Sequence, residues 1–250
     1  MTETIQFEQQ AGIARLLFNR PERRNALGRV ELDAIQAALL GLDTHTRVLV
    51  ITAAGEGTFC AGADLQQIRA GDLDGDQFQA VTNTLADLSI PTMCVINGNV
   101  FGGGVELALS CDFRLAADNI VMRVPASAIG LCYPVAGIQR FVTRLGVTLA
   151  KRLLVAAEEF TAEEMLELGI VSGLSAPCEL NSAADLMAQT LAQRAPLAVS
   201  AMLEIIRQAE TAGIDWQRAQ ELADLCSGSQ DLVEGLAAQK ARRLPQFQGR

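Results

Sequence analysis

Three consecutive glycines, Gly102-Gly103-Gly104, close the stretch that begins at Thr92, and an apolar segment carrying a single acid, Glu106, follows them. Residues 92–97 read as a buried strand, and the segment after the glycines reads as a helix with Glu106 in its first turn. Glycines without a Cβ let another molecule lie against the backbone and leave peptide N–H groups unshielded. The first N–H groups of a helix have no intrahelical acceptor and sit at its positive end. A group that gains negative charge is expected there. Glu106 lies three residues after Gly103 on the same face, and its Cβ leans back toward the N-terminus, which brings the carboxylate to those N–H groups. A proton-transfer group beside an anion-stabilising group suits reactions next to a carbonyl. The same position has a plainer explanation, because the helix dipole favours an acid in the first turn whatever the protein does.

A second small-residue loop, Ala61-Gly62-Ala63-Asp64-Leu65, follows a β-branched strand at 48–52. Gly62 and Ala63 permit close backbone approach, and Asp64 is expected to cap a short helix reaching Ile68. Alone this is ordinary loop chemistry. Paired with the glycine triplet, it offers one N–H from each loop to a single oxygen.

Composition removes several alternatives. The chain of 250 residues has 20 basic and 29 acidic side chains, a net charge of −9, which argues against nucleic acid or an anionic membrane as partner. No apolar run reaches the roughly 18 residues of a membrane span, and the acidic start, Met1 to Ile5, does not read as a secretory signal. Six dispersed cysteines without a C-x-x-C pair read as reduced, mostly buried thiols of a cytoplasmic protein. His45, the single histidine, lies in a polar stretch and is expected to be a solvated loop residue, so neither a zinc site nor a Ser-His-Asp triad is expected. No nucleotide-binding glycine loop is present. The expectation is an enzyme without a metal.

The pattern of elements is α/β. Strands are expected at 5–9, 13–19, 48–52, 92–97, 113–116 and 120–123, with helices at 30–42, 64–68, 76–88 and from the glycine triplet onward. After Pro134 helical patterns dominate: 137–145, 148–156, 161–168, 182–194, 196–211, 214–226 and 231–240. Residues 1–190 read as a catalytic core and 191–250 as a C-terminal helical region, which either folds over the core or packs against another subunit. The segment 70–78, rich in Gly and Asp, is expected to be mobile and to shape the pocket.

Taken together, Asn19-Arg20-Pro21-Glu22-Arg23-Arg24-Asn25-Ala26-Leu27, Phe59-Cys60-Ala61-Gly62-Ala63-Asp64-Leu65, Asn97-Gly98 through Gly102-Gly103-Gly104-Val105-Glu106 to Cys111-Asp112, Gly137-Ile138-Gln139-Arg140 with Leu145-Gly146, and Ala162-Glu163-Glu164 to Leu168-Gly169-Ile170-Val171 resemble the crotonase, or enoyl-CoA hydratase/isomerase, superfamily over nearly the whole length. The resemblance implies a crotonase-like ββα spiral core with a helical C-terminal trimerisation region. It also implies an acyl-CoA thioester substrate in fatty-acid or related metabolism, and a homotrimer or dimer of trimers. Coenzyme A enters as part of the substrate, and no further cofactor is implied. By motif, the oxyanion-hole donors map onto Ala63 and Gly103, the catalytic acid onto Glu106, and the CoA-binding segment onto Arg23, Arg24, Ala61, Asp64, Leu65 and Gln66. The basic cluster of Lys240, Arg242 and Arg243 could reach a neighbouring subunit's ligand or simply form a solvated face.

The chain departs from the hydratase pattern at one place. Hydratases of the family carry a second glutamate after a proline; here Pro125 is followed by Ala126. Tyr133, in Leu131-Cys132-Tyr133-Pro134, is similar to a tyrosine that faces substrate in methylmalonyl-CoA decarboxylases, although those enzymes have a histidine where this chain has Ala63. Tyr133 is therefore a second catalytic candidate, its alternative being an aromatic packed under the loop with its hydroxyl on backbone. Three readings follow: an enoyl-CoA hydratase/isomerase, a CoA-thioester decarboxylase or lyase using Tyr133, and a non-catalytic acyl-CoA binder.

Overall fold

The β-branched, fully apolar stretch Val-Leu-Val-Ile at 48–51 cannot face water on either side, and in the computed structural model it lies near the middle of a largely parallel sheet. The structure describes residues 3–211 and 213–250. Met1 and Thr2, part of the stretch read for an export signal, lie outside the described residues.

The first two strands, β1 (Ile5–Gln10) and β2 (Ile13–Phe18), form an antiparallel hairpin whose turn places Ala11 and Gly12 at φ 52° and 79°. Both residues at positive φ is the backbone that matches strand twist. β2 buries Ala14, Leu16 and Phe18 on one face and pairs in parallel with β3 (Val48–Ala53). Helix α1 (Arg29–Leu40) connects them. Parallel pairing continues through β5 (Thr92–Ile96), β7 (Phe113–Ala117) and β10 (Gly173–Ser175), which gives the sheet order β1-β2-β3-β5-β7-β10.

A second sheet, which positions the site, contains β4 (Gly57–Cys60), β6 (Gly98–Phe101), β8 (Val121–Arg123) and β9 (Glu159–Thr161), in that order. β4, β6 and β8 run parallel, and β9 closes the edge antiparallel. Sequence reasoning read the whole of 53–65 as a small-residue loop and assigned no strand at 98–101; 57–60 and 98–101 are strands. Gly98 explains the close pairing, since a Cβ there would stand 2.7 Å from the Thr58 amide nitrogen. The strand at 92–96 therefore reaches the glycine triplet through β6 rather than directly.

Helix α2 (Leu65–Ala70) is capped by Asp64, and α3 (Gly75–Ala86) by Asp74, so the segment 70–78 runs from the end of α2 into the capped start of α3, with Leu73 buried between them. Helix α4 (Gly103–Ser110) is buried on every side from Gly104 to Ser110, the expected fate of a helix with no polar face. The two helices expected at 137–145 and 148–156 are the two halves of α5 (Val135–Leu154), separated by the non-helical backbone of Gly146 (φ 76°, ψ 164°).

The region after Pro134 is not wholly helical, because β9 and β10 complete the two sheets; three residues are too few to show alternation. Helix α6 (Ala162–Glu167) starts at Thr161 with a reciprocal Thr161–Glu164 cap. Helix α7 (Leu180–Ala192) packs across β2, β3, β5, β7 and β10. Helices α8 (Pro196–Glu210), α9 (Trp216–Ser227) and α10 (Gln230–Ala241) follow, α8 packing on α9 and α9 on α10. The cysteines depart from the expected burial: Cys60, Cys94 and Cys111 are buried, Cys132 and Cys178 are exposed, and all six are unpaired.

Candidate active site

Two backbone segments meet at the ends of β4 and β6. After Cys60 the chain runs through Gly62 at φ 89°, and after Phe101 it runs through Gly102 at φ 53° into α4. They touch closely: a Cβ on Gly62 would lie 2.6 Å from the Gly103 amide nitrogen, and a Cβ on Gly103 would lie 3.3 Å from that of Ala63. Leu27 fixes the orientation of Ala63. It donates to Gly62 O and accepts from Asp64 N–H, both at 2.9 Å. Since successive peptides of an extended segment point to opposite sides, the Ala63 N–H is turned away from Leu27. Gly103 is the first residue of α4, where an N–H has no intrahelical acceptor. Among the described residues, neither N–H donates to a protein acceptor.

Asn25 builds the support behind this junction. Its side chain accepts from Arg20 N–H at 2.9 Å and donates to Ala54 O at 3.1 Å and Thr58 O at 3.0 Å. The Cys60 thiol donates to Asn25 O and receives the Gly62 N–H, each at 3.3 Å. Burial pushes that thiol up to about 12, with the Gly62 hydrogen bond opposing the shift.

Beside the two N–H groups lies an apolar pocket of about 140 Å³, lined by Ala61, Ala63, Phe78, Glu106, Ala126 and Tyr133 among others. Glu106 is 1% exposed. Its Oε1 accepts from Gln79 Nε2 at 2.9 Å and Thr82 Oγ1 at 3.4 Å and faces Arg140 Nε at 3.5 Å. Its Oε2, also buried, forms no regular hydrogen bond among the described residues. Arg140 is anchored at its far end on Asn83 Oδ1 at 2.6 Å.

Tyr133 packs edge-on against Phe141, ring centroids 5.5 Å apart, and its hydroxyl meets the Glu106 carboxylate rather than a backbone carbonyl. Burial first, and then the negative charge of Glu106, push the phenol well above its ordinary range. It is held as a neutral donor. Ala126, the residue expected from the resemblance to replace the second glutamate, lines the same pocket and is buried.

The expected CoA-binding residues form one neighbourhood. Arg24 O accepts the Ala61 N–H at 3.0 Å, which sets exposed Arg23 and Arg24 beside Ala61, Asp64, Leu65 and Gln66. Asp64 is occupied structurally: it accepts the Gln66 and Gln67 N–H groups and lies 3.7 Å from Arg20. Leu65 and Gln66 are exposed. Arg243 is engaged with Glu234 at 2.6 Å, while Lys240 and Arg242 are exposed. His45 sits exposed in a turn, its N–H on Asp43.

Sequence reasoning gave no role to Gln79, Thr82 or Arg140. A signal existed, since Thr82 is a fully buried polar residue on the face of α3 that carries Phe78, Val81 and Leu85. Arg140 lay within a quoted motif without a task.

A family model described as enoyl-CoA hydratase/isomerase matches residues 8–250. The mouse (Mus musculus) mitochondrial enoyl-CoA hydratase domain-containing protein 2 is 35% identical, over 100% of this chain and 90% of its own length. The 2,3-dehydroadipyl-CoA hydratase of Escherichia coli (strain K12) is 32% identical over 100% of both chains. A crystal structure of an enoyl-CoA hydratase from Bacillus anthracis superposes with a TM-score of 0.89 at 28% identity, covering 99% of this chain and 100% of that one. With a matching family model along almost its entire length, relatives of the same kind and the same fold, this chain belongs to the enoyl-CoA hydratase/isomerase family of the crotonase superfamily and is an enzyme of that family.

Proposed function

We propose that the pocket takes the acyl end of a 2-enoyl-CoA thioester and catalyses reversible addition of water across its C2–C3 bond. The observation that carries this reading is the convergence of two N–H groups without protein acceptors, from Ala63 and Gly103, next to a buried carboxylate one of whose oxygens makes no regular hydrogen bond. The thioester oxygen accepts both N–H groups and gains charge as an enolate forms; each such donor is worth about 2.7–4 kcal/mol of barrier. Glu106 takes a proton from water through Oε2 while the oxygen of that water bonds to C3. The enolate then takes the proton back at C2, which balances the addition with one carboxylate. Neutral Tyr133 donates toward the carboxylate and water. The reaction names of the relatives, hydratases and dehydratases, support this choice.

Arg23 and Arg24 supply positive charge for the CoA phosphates, with Ala61, Asp64, Leu65 and Gln66 forming the adjoining wall. The exposed apolar residues of the last helices, Trp216, Val233 and Leu236 among them, support assembly as a homotrimer or dimer of trimers. Six unpaired cysteines suit a reducing compartment such as the cytoplasm.

The test is loss of enoyl absorbance with crotonyl-CoA and longer enoyl-CoA esters, with products read by mass spectrometry. Absence of turnover across the series would defeat the hydration reading. Ala126 supports a second reading, an acyl-CoA binder without turnover, which calorimetric binding beside a blank activity screen would favour. Carbon dioxide release from malonyl-type thioesters, lost in Tyr133→Phe, would instead support the lyase.

A further inference from the structure

The polar contacts of Glu106 are one-sided. Gln79 and Thr82 donate hydrogen bonds to Oε1, Arg140 Nε faces the same oxygen as an ion pair at 3.5 Å without a regular hydrogen bond, and Oε2 is likewise left without a regular hydrogen bond. The terminal torsion of a glutamate is broad and roughly two-fold, so nothing intrinsic to the side chain distinguishes its oxygens. Something outside must do so.

We propose that Arg140, assisted by Gln79, is a positioning residue that anchors Glu106 by Oε1 and thereby dedicates Oε2 to proton exchange with substrate. Arg140 reaches Glu106 from the first turns of α5 and is itself tied to α3 through Asn83 Oδ1 at 2.6 Å and Thr82 Oγ1 at 3.4 Å. It is thus a strut between three helices. Gly137, one turn earlier on α5, flanks the other oxygen: a Cβ there would stand 2.9 Å from Oε2 and 2.5 Å from the Tyr133 ring. One helix therefore holds Oε1 by charge and leaves room for Oε2 by the absence of a side chain. The guanidinium also balances the negative charge that Glu106 carries into a helix buried all round.

On its outer side Arg140 lines a crevice of about 520 Å³ between α3, α5 and α8, together with Asn83, Gln139 and Arg144. The crevice opens to solvent. A small cation can reach the position of the guanidinium from there without passing through the acyl pocket, which makes the strut replaceable from outside.

This inference rests on the hydration reading, and its test separates the two. In Arg140→Ala, kcat for crotonyl-CoA is expected to fall about 10²-fold with KM within about two-fold, since the loss affects proton transfer rather than binding. Added guanidinium or methylguanidinium is expected to restore at least about ten-fold of it, and Arg140→Lys to retain more activity than Arg140→Ala. Gln79→Leu, a milder change, is expected to lower kcat in the same direction. A second arm needs no activity: the crystal structure of Arg140→Lys or Gln79→Leu should show the Glu106 carboxylate rotated from its present orientation. Unchanged kcat, a purely KM effect, or a carboxylate that stays in place in both variants would overturn the proposal. If the wild type turns over no enoyl-CoA, the hydration reading fails, and the carboxylate orientation alone decides the positioning role.

Discussion

Gly62 and Gly103 are in backbone contact across two loops, with room for no side chain between them: a Cβ on Gly62 would stand 2.6 Å from the Gly103 nitrogen and 3.0 Å from Phe101 O. Gly62 also holds φ 89°, a region that L side chains rarely adopt. Gly62→Ala is therefore expected to push the two donor loops apart. The proposed hole should lose at least one donor, with kcat falling about 10²–10³-fold. Steady-state kinetics with a folded variant, verified by circular dichroism, checks this; near-wild-type kcat would contradict the shared hole.

Ala126 offers a gain-of-function test. It lines the pocket that holds Glu106 and is buried, so Ala126→Glu places a second carboxylate at the position where hydratases of the family keep one. If water is handled by one acid in the wild type, a second is expected to raise the hydration rate by about 10-fold or more, since a placed proton-transfer group is typically worth 10²–10⁴. The new buried charge should lower the melting temperature. A rate unchanged or lowered in a folded variant would count against hydration as the reaction.

Asn25 is the buried polar side chain of the segment that carries Arg23 and Arg24. It is 1% exposed and satisfies Arg20 N–H, Ala54 O and Thr58 O at once. Asn25→Ala leaves those groups buried without partners, and each such group costs about 1–3 kcal/mol. Urea unfolding is expected to show a loss of roughly 2–4 kcal/mol, accompanied by weaker acyl-CoA binding as Arg23 and Arg24 lose their placement.

Cys60 predicts an alkaline limit. Its folded-state thiol sits at about 12, raised by burial from 9.0. A group raised on folding holds its proton more tightly in the native state, so its contribution is complete below about pH 9 and is lost as pH rises toward 12. The full difference is on the order of 4 kcal/mol. Melting temperatures measured from pH 8 to 11 should fall in the wild type, and fall less steeply in Cys60→Ala. Equal slopes would remove this account.

Much of the framework was legible in the residues because it is written in short-range patterns. The continuous apolar runs of β3 and β5, the hairpin turn at Ala11-Gly12, the Asp64 cap and the break at Gly146 each depend on a few neighbouring side chains and their backbone preferences. The glycine triplet likewise announced a close backbone approach, since positive φ and the lack of a Cβ are properties of glycine itself. Strands as short as β9 and β10 left no such pattern, and β4 and β6 were hidden by glycines that serve strand pairing.

What the sequence by itself determined is a set of local instructions: which segments are buried, where the helices begin, and which two loops have free amides to offer. Only the tertiary structure decided that Ala63 and Gly103 share one pocket, that the Tyr133 hydroxyl turns to Glu106, and that Arg140 closes on one of its oxygens. The first relation comes from the pairing of β4 with β6, and the other two from α5 packing against α4 and bonding through Arg140 to α3, elements distant along the chain. Periodicity reports a side chain's burial but not which remote group it will meet, because that contact is fixed by the packing of whole helices rather than by any residue's own preference.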